Sequence, residues 1–372
     1  MELELQKFLH TVPDWREKLA AAPYCLNIRE NEDYILFKYN QFESDMTLQI
    51  CKEARGIIFE KETLTPVCVP YFKFFNIEET DKADEIDWNS ATIYEKIDGS
   101  LMKLWLHNGQ WHLSTNGTID AFTAEVDGQN TTFGDLFVEA IGGANEYNEL
   151  INHLHVGFCY MFELVHPKTQ VVIQYEKPQI YLHGARNRIT LNEINPFWFR
   201  LHKNVKFPKM YLKSKKITPE ELTKIVKDMK NAEGVVVRDK DFHRVKIKSL
   251  DYLSKAFTLN YKNVTVKTIL KLWRNDTLDD FLALAPEKKD FVDDIFNQMK
   301  KYVEYQEQIY CWLPDKHNLS RKEYYYFASE QKGVDIAYIM KKYDEKIHNP
   351  MEYYDHISIK NIERIIKNER YR

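Results

Sequence analysis

The first 250 residues of the chain alternate between short apolar runs and turn-forming residues, a pattern typical of β-strands joined by loops. The Asn108-Gly109 dipeptide separates two such runs and predicts a hairpin, because both central positions of a type I′ turn need a positive φ. The runs that predict strands cover residues 53–60, 91–94, 101–106, 157–165, 179–183, 234–238 and 245–248.

The pattern becomes helical downstream of these runs. Pro286 stands where a first helical position is expected, and Phe291, Ile295 and Met299 follow at a spacing of four residues. We therefore expect an α+β fold with two domains. Residues 1–250 would form a domain of antiparallel sheets and helices, and residues 251–372 an all-α domain.

Composition restricts the classes of function. Hydrophobic residues make up 44% and charged residues 29% of the chain, which favours a globular protein over a disordered one. The net charge is only −4, so a polyanion site would have to be a local basic cluster. The five cysteines are scattered without C-x-x-C spacing. The acidic N-terminal residues and the absence of a long apolar run lead us to expect neither a signal peptide nor a membrane-spanning helix. We expect a cytoplasmic protein with no membrane partner.

The segment from Tyr94 to Leu101 is the first candidate for chemistry. A strand-like run brings Lys96 to its end, an Asp98-Gly99 turn follows, and a new strand begins. Strand ends and tight turns often carry function, because the scaffold holds them while one side stays open. The alternative is an exposed hairpin lysine beside an ordinary turn.

Other charged residues lie in or beside strands. Lys246 and Lys248 share one strand face about 7 Å apart, where they could meet phosphate oxygens or protect a sheet edge. Glu163 and Glu233 adjoin apolar runs, so each needs a cation, a hydroxyl donor or a metal. Arg55 enters a strand and suits either a phosphate site or a structural ion pair.

The order of these segments resembles that of the covalent nucleotidyltransferases. The superfamily is indicated by Lys-x-Asp-Gly-Ser at 96–100, Phe-Glu-Leu-Val at 162–165, Glu-Gly-Val-Val-Val at 233–237 and Val-Lys-Ile-Lys-Ser at 245–249. Residues 53–59 and 73–76 are similar to segments of the RNA ligase 1 class, the phage-type tRNA-repair ligases. The resemblance covers roughly residues 50–250.

This resemblance implies a set of roles. Lys96 would attack ATP and carry AMP on its side-chain nitrogen, which requires a neutral amine. Nearby positive charge and burial favour that form, whereas Asp98 would oppose it unless it is engaged elsewhere. The other implied roles are α-phosphate binding by Lys246 and Lys248, metal binding by Glu233, ribose binding by Glu163, and β- and γ-phosphate binding by Arg55 and Lys73. The expected metal is Mg²⁺, with Mn²⁺ as an alternative.

Two segments depart from the family pattern. Asn116 stands where these ligases often carry a basic residue before a glycine, so the expected nucleotide site has one positive charge fewer at this position. The segment around Tyr181 is only loosely similar to the nucleoside-binding strand. Asp98, Gly99, Asn116 and Tyr181 are therefore further candidates for the site.

The implied substrate is RNA with 5′-phosphate and 3′-hydroxyl ends, including nicked tRNA, joined by a monomer in a bacterial or phage-infected cell. The alternatives are a capping-type guanylyltransferase, a DNA ligase and a non-catalytic RNA-binding relative. The first two normally carry a β-rich OB-fold after the catalytic domain. Aromatic and basic residues of the C-terminal region could bind tRNA by stacking and phosphate contact. Alternatively, the aromatic residues form helical core and the lysines are solvated. The residues are Lys322, Tyr324, Tyr325, Tyr326, Lys341 and Lys342.

Overall fold

The computed structural model describes residues 3–41, 43–77, 79, 85–126, 128–199, 202–213, 217–261, 264–274, 278–315 and 318–366. Its strands are β1 (Asn27–Glu30), β2 (Tyr34–Lys38), β3 (Arg55–Glu60), β4 (Pro66–Cys68), β5 (Phe75–Asn76), β6 (Thr92–Lys96), β7 (Ser100–His107), β8 (Gln110–Thr115), β9 (Phe158–Val165), β10 (Gln179–Asn187), β11 (Glu193–Ile194), β12 (Val205–Lys206), β13 (Met210–Lys213), β14 (Gly234–Arg238) and β15 (Arg244–Lys248).

The helices flank and follow these strands. They are α1 (Glu4–Thr11), α2 (Trp15–Ala20), α3 (Gln49–Glu53), α4 (Phe133–Ile141), α5 (Ala144–His153), α6 (Pro219–Lys227), α7 (Leu250–Tyr261), α8 (Val266–Arg274), α9 (Leu278–Leu284), α10 (Lys289–Trp312), α11 (Arg321–Ser329), α12 (Ile336–Tyr343) and α13 (Ile359–Ile366). Within the described ranges, every strand precedes residue 250 and only helices follow it. The predicted α+β fold is confirmed.

The first sheet has the order β1-β2-β3-β4 and the second β11-β10-β9-β7-β8, with β12 parallel to β10. The predicted hairpin joins β7 to β8, and its turn residues Asn108 and Gly109 have φ values of 47° and 76°. Helix α4 covers one face of the second sheet, where Leu136 and Phe137 join its buried residues. The other face packs on the first sheet.

The third sheet has the order β13-β6-β14-β15-β5, and only β15 and β5 run parallel. Helix α6 buries Leu222 and Val226 against Val245 and Ile247 on one face. Because side chains alternate along a strand, Lys246 belongs to the opposite face. One helix therefore supports the sheet while its charged side stays available.

A bulge in β10 makes room for an aromatic ring. The pairing with β9 shifts between Leu182 and Gly184. A Cβ at Gly184 would lie 1.6 Å from the Tyr71 hydroxyl, which donates to the His183 carbonyl at 2.7 Å. The Tyr71 and His183 rings stack, with centroids 5.4 Å apart. The bulge thus fixes the direction of the His183 side chain.

The chain divides into two compact units. The first comprises Met1–Pro13, Arg29–Tyr39 and Met46–Leu259, and the second comprises Asp14–Ile28, Asn40–Asp45 and Asn260–Arg372. Segments far apart in sequence therefore build the second unit together.

Buried polar contacts join those segments within the second unit. The Glu352 carboxylate accepts from the Ile28 amide at 2.7 Å, and the Asn349 side chain donates to the Ala20 carbonyl at 2.7 Å. Burial raises the pKa of Glu352 to about 7. A carboxyl that is about half protonated at neutral pH costs less to bury than a fully ionised one.

The longest described helix of this unit is α10. Pro286 begins a 3₁₀ helix, Pro286–Lys288, that leads directly into it, close to the predicted start. Ile295 and Met299 are buried as expected, but Phe291 is 37% exposed. The apolar stripe instead begins at Val292, one position further round the helix. Among the described residues, no helix has the length and apolarity needed to cross a membrane.

Replacing Gly184 by Ala should destabilise the first unit, because the new methyl group and the Tyr71 hydroxyl cannot occupy the same space. We expect a loss of about 2–4 kcal/mol from overpacking and a broken buried hydrogen bond, measured by urea denaturation. Gly157→Ala is the matched control, since its nearest neighbour would be an amide nitrogen 3.8 Å away. Equal urea midpoints for the two variants would contradict the packing described for Tyr71.

Candidate active site

A single buried carboxylate joins two lysines across the centre of the third sheet. Glu233 directly precedes β14, and its side chain lies 2.8 Å from Lys96 Nζ and 3.1 Å from Lys248 Nζ. Lys96 ends β6 and Lys248 ends β15, and both pair with Gly234 in register. Glu233 is 4% exposed, so water screens these ion pairs weakly. Three predicted residues therefore meet in one cluster.

Gly234 permits this close arrangement. Its φ is +148°, and a Cβ at this position would lie 2.0 Å from the Ile247 carbonyl oxygen and 2.8 Å from the Lys248 Cα. Only glycine tolerates both the backbone conformation and the contact. Any side chain would push β15 away from β14 and separate Lys248 from Glu233.

Further cations follow Lys248 along the same face of β15. Lys246 pairs with Val236 on one side and Asn76 on the other, and Arg244 pairs with Arg238. Arg244 is held by Glu193, whose carboxylate lies 2.5 Å from its Nη2, and stacks over the Tyr71 ring at 4.1 Å. The strand therefore presents a row of three cations, of which sequence patterns predicted only the two lysines.

Asp98 is engaged away from Lys96. Its Oδ2 accepts from the amides of Val172 and Ile173 at 2.9 and 2.7 Å, and the Tyr252 hydroxyl donates to Oδ1 at 2.9 Å. Burial and the charge of Glu233 raise its pKa to about 6, against these hydrogen bonds. Because Asp98 has its own donors, it organises the turn after Lys96, and Glu233 is the carboxylate that pairs with the lysine.

Glu163 lies beside this turn. A Cβ at Gly99 would be 3.0 Å from Glu163 Cγ and 2.5 Å from the Leu164 carbonyl, so the Asp98-Gly99 turn packs directly on β9. Tyr181 of β10 pairs with Glu163, whose carboxylate contacts His183 Nε2 at 3.2 Å. His183 was not predicted from the sequence. The only available signal was an imidazole next to a glycine within a strand.

Arg55 and Lys73 lie among aromatic rings. The Arg55 guanidinium is 5.0 Å from the Phe74 ring centroid, and Lys73 Nζ is 5.3 Å from Tyr39 and 5.6 Å from Phe75. Arg55 Nη1 is buried and has no hydrogen-bond acceptor among the described residues. The alternative considered for Arg55 was a structural ion pair. No carboxylate among the described residues forms one with it.

Asn116 lies against Gly56, the residue after Arg55. A Cβ at Gly56 would meet the Asn116 carbonyl at 2.4 Å, its Oδ1 at 3.0 Å and Lys103 Nζ at 2.9 Å. The ammonium of Lys103 donates to the Gly56 carbonyl and is fully buried. Sequence patterns did not predict Lys103, although a lysine between Met102 and Leu104 in an apolar strand is a usable signal.

The aromatic residues of α11 differ in environment. Tyr324 is 2% exposed and belongs to the core of the second unit, whereas Tyr325 and Tyr326 are 44% and 57% exposed. The expectation of helical core thus holds for Tyr324 alone. In the same unit, Lys342 pairs with Glu307 at 3.1 Å.

The carboxylates suit a divalent ion only in part. Among the residues with described positions, no group of three His, Cys, Asp or Glu side chains could hold a metal. Glu233 offers a buried carboxylate, a hard oxygen donor, although both lysines also bind it. Such a site fits Mg²⁺ when phosphate oxygens and water supply the remaining ligands.

The chain is similar to known RNA ligases. The RNA ligase family matches residues 53–262, more than half of the chain. A bifunctional polynucleotide kinase/RNA ligase of Autographa californica nuclear polyhedrosis virus is 30% identical over 277 residues, which cover 70% of this chain and 38% of the relative. An RNA ligase of Rhodothermus phage RM378 is 26% identical over 287 residues, covering 65% of this chain and 64% of the relative.

The chain therefore spans less than two thirds of either of these relatives. A solved archaeal ATP-dependent RNA ligase is 14% identical, with a TM-score of 0.46 and coverage of 82% of this chain and 83% of that one. The match to residues 53–262 contains the lysine cluster, Glu163 and Arg55. The chain belongs to the RNA ligase family.

Proposed function

We propose that the protein is an ATP-dependent ligase that joins 3′-hydroxyl and 5′-phosphate ends of RNA. The observation that carries this proposal is the cluster in which Glu233 holds Lys96 and Lys248 at 2.8 and 3.1 Å. It combines a lysine at a strand end with a second cation close enough to bind the same phosphate. Family membership supports RNA as the substrate class.

In the proposed reaction, Lys96 Nζ attacks the α-phosphorus of ATP. A P–N bond forms, the bond to the β-phosphate oxygen breaks, and pyrophosphate leaves. An oxygen of the RNA 5′-phosphate then attacks the same phosphorus and releases Lys96. Finally, the RNA 3′-hydroxyl attacks the 5′-phosphate and AMP leaves. All three are displacements at phosphorus and require positioned positive charge.

The protonation state of Lys96 controls the first step. Glu233 holds Lys96 in an ion pair at 2.8 Å, and an amine engaged in this way must be released before it can attack phosphorus. Lys248 competes for the same carboxylate, and the three donors on Asp98 keep its charge from acting as a second counter-ion for Lys96. Activation thus requires Glu233 to exchange Lys96 for another cation when the nucleotide binds.

The remaining residues would hold the nucleotide. Lys246 and Lys248 would bind the α-phosphate, and Glu163, positioned by His183, the ribose hydroxyls. Arg55 and Lys73 would face the β- and γ-phosphates. Glu233 would hold Mg²⁺, or Mn²⁺ in its place, and a bound ion would neutralise the developing charge on the phosphate oxygens.

Lys96→Ala should abolish acid-stable labelling of the protein by α-³²P-ATP, because no other group would form the P–N bond. Lys206→Ala, at an exposed position on β12, should label like the wild type. Persistent label on Lys96→Ala would contradict the assignment. Labelling by α-³²P-GTP in place of ATP would favour a guanylyltransferase instead.

Asp98→Asn should raise the stability of the first unit at pH 8. The pKa of Asp98 is about 6 in the folded state, above its ordinary 3.8, so its protonation stabilises the fold at low pH. That contribution is lost as the pH rises through about 6, and ionisation then costs up to about 3 kcal/mol. Asn stays neutral and can satisfy the same partners.

Urea denaturation at pH 8 and pH 4.5 measures this difference. The Asn variant should be more stable at pH 8. The difference should shrink by about two thirds at pH 4.5 and change sign or vanish only below the ordinary pKa of 3.8, because the unfolded carboxyl titrates there. A difference in unfolding free energy that does not change with pH would contradict the burial of a titrating Asp98.

For tRNA repair, the exposed aromatics of α11 are the candidate contacts. Since Asp14–Ile28 belongs to the same compact unit as the C-terminal helices, point substitutions test this better than truncation. The Tyr325→Ala, Tyr326→Ala double variant should seal nicked tRNA at least about fivefold more slowly, from lost base stacking. Sealing of a short linear RNA should change little. An equal loss on both substrates would argue against tRNA recognition by these side chains.

A further inference from the structure

Lys103 is a buried cation to which no carboxylate of the described residues is paired. It lies in β7, is 0% exposed, and donates to the Gly56 carbonyl. None of the described carboxylates forms an ion pair with it. Burial lowers the pKa of this amine. The buried thiols of Cys68 and Cys159 act against that shift, whereas the charges of Arg55 and Lys38 add to it. Proteins rarely bury a lysine in this way unless another group compensates for the cost.

Two more cations lie on neighbouring strands. Arg55 begins β3 and pairs with Lys38 of β2 in register. Arg55 Nη1 is buried without an acceptor in the described part of the chain. Two neighbouring strands of the first sheet and β7 of the second sheet therefore bring three positive side chains close to Gly56. Their mutual repulsion makes this cluster, Lys38, Arg55 and Lys103, complementary to an anion.

The cluster adjoins the residues assigned to the nucleotide. Lys103 pairs with Met161, and Leu101 pairs with Glu163, two positions further along the same strands. Strand geometry places Lys103 and Glu163 on the same sheet face, about 7 Å apart along the strand direction. An anion beside Arg55 would therefore be within reach of a nucleotide whose ribose contacts Glu163.

Lys103 also lies where a charge is missing. It pairs with Ser114 across the hairpin, and its Nζ and the Asn116 Oδ1 would lie 2.9 and 3.0 Å from a Cβ at Gly56. A basic side chain at 116 and the existing one at 103 would approach the same point. A basic side chain at either position 103 or position 116 could therefore place its positive charge near Gly56.

We propose that Lys103 supplies, from β7, the positive charge absent at Asn116, and that Lys38 and Lys103 join Arg55 and Lys73 in binding the polyphosphate end of the nucleotide. Lys103 is a positioning residue in this site. Its hydrogen bond to the Gly56 carbonyl holds Gly56 and the adjacent Arg55 in place. Because Lys103 is fully buried, its charge acts on the anion without direct contact. The assignment rests on the proposed function, of which it specifies one subsite.

The test is Lys103→Met, which keeps the length of the side chain and removes its charge. Inorganic tripolyphosphate binding, measured by calorimetry, should weaken about tenfold, the effect of one charge-assisted interaction. The KM for ATP in enzyme labelling should rise by a similar factor, while the labelling rate at saturating ATP changes less. The melting temperature should stay the same or rise, since a buried charge has been removed.

The double variant Lys103→Met, Asn116→Lys should recover tripolyphosphate affinity. Lys38→Met, at a half-buried position, should also weaken binding and provides the test if Lys103→Met fails to fold. Lys206→Met is the matched control and should bind like the wild type. Recovery by a lysine at 116 would separate a role of charge from a role in packing.

Wild-type affinity in Lys103→Met or Lys38→Met would overturn the proposal, as would a wild-type protein that does not bind tripolyphosphate. Weakened binding of 5′-phosphorylated RNA alone would overturn the polyphosphate assignment. Failure of the proposed function is distinguishable, because it would appear as an unlabelled wild-type protein whose tripolyphosphate binding still responds to Lys103→Met.

Discussion

The ion pairs of Glu233 with Lys96 and Lys248 hold the centre of the candidate active site together. They depend on three strands meeting in register at Gly234, where a Cβ would lie 2.0 Å from the Ile247 carbonyl. A buried carboxylate is costly to leave unpaired, so the two lysines and the glutamate stabilise each other's positions. The same arrangement holds Lys96 on Glu233 until another cation takes its place.

Around this cluster, buried polar groups define the walls. Asp98 holds the turn after Lys96 by accepting from two amides and the Tyr252 hydroxyl. Glu163 is held by His183, which in turn stacks on Tyr71. Each wall residue therefore contacts a second group that restricts its orientation. Such preorganisation matters for phosphoryl transfer, where positioned charge provides most of the catalysis.

The second unit illustrates a different constraint. It combines helices after residue 260, which supply its hydrophobic core, with the distant segments Asp14–Ile28 and Asn40–Asp45. Buried contacts such as Glu352 with the Ile28 amide join residues more than 300 positions apart. Hydrophobic periodicity describes each helix separately, so it cannot report which distant segments share a core.

By itself, the sequence determined the local features. Alternation predicted the strands that carry Lys96, Glu163 and Lys246, and the Asn108-Gly109 turn predicted the hairpin, because these depend on neighbouring residues alone. Motif order indicated the family before any contact was known. Tertiary structure decided which partner each charged side chain has. Glu233 contacts both lysines, Asp98 accepts from backbone amides, and Lys103 donates to the Gly56 carbonyl. Those choices depend on strand register and burial between sheets, which bring together residues that no sequence period relates.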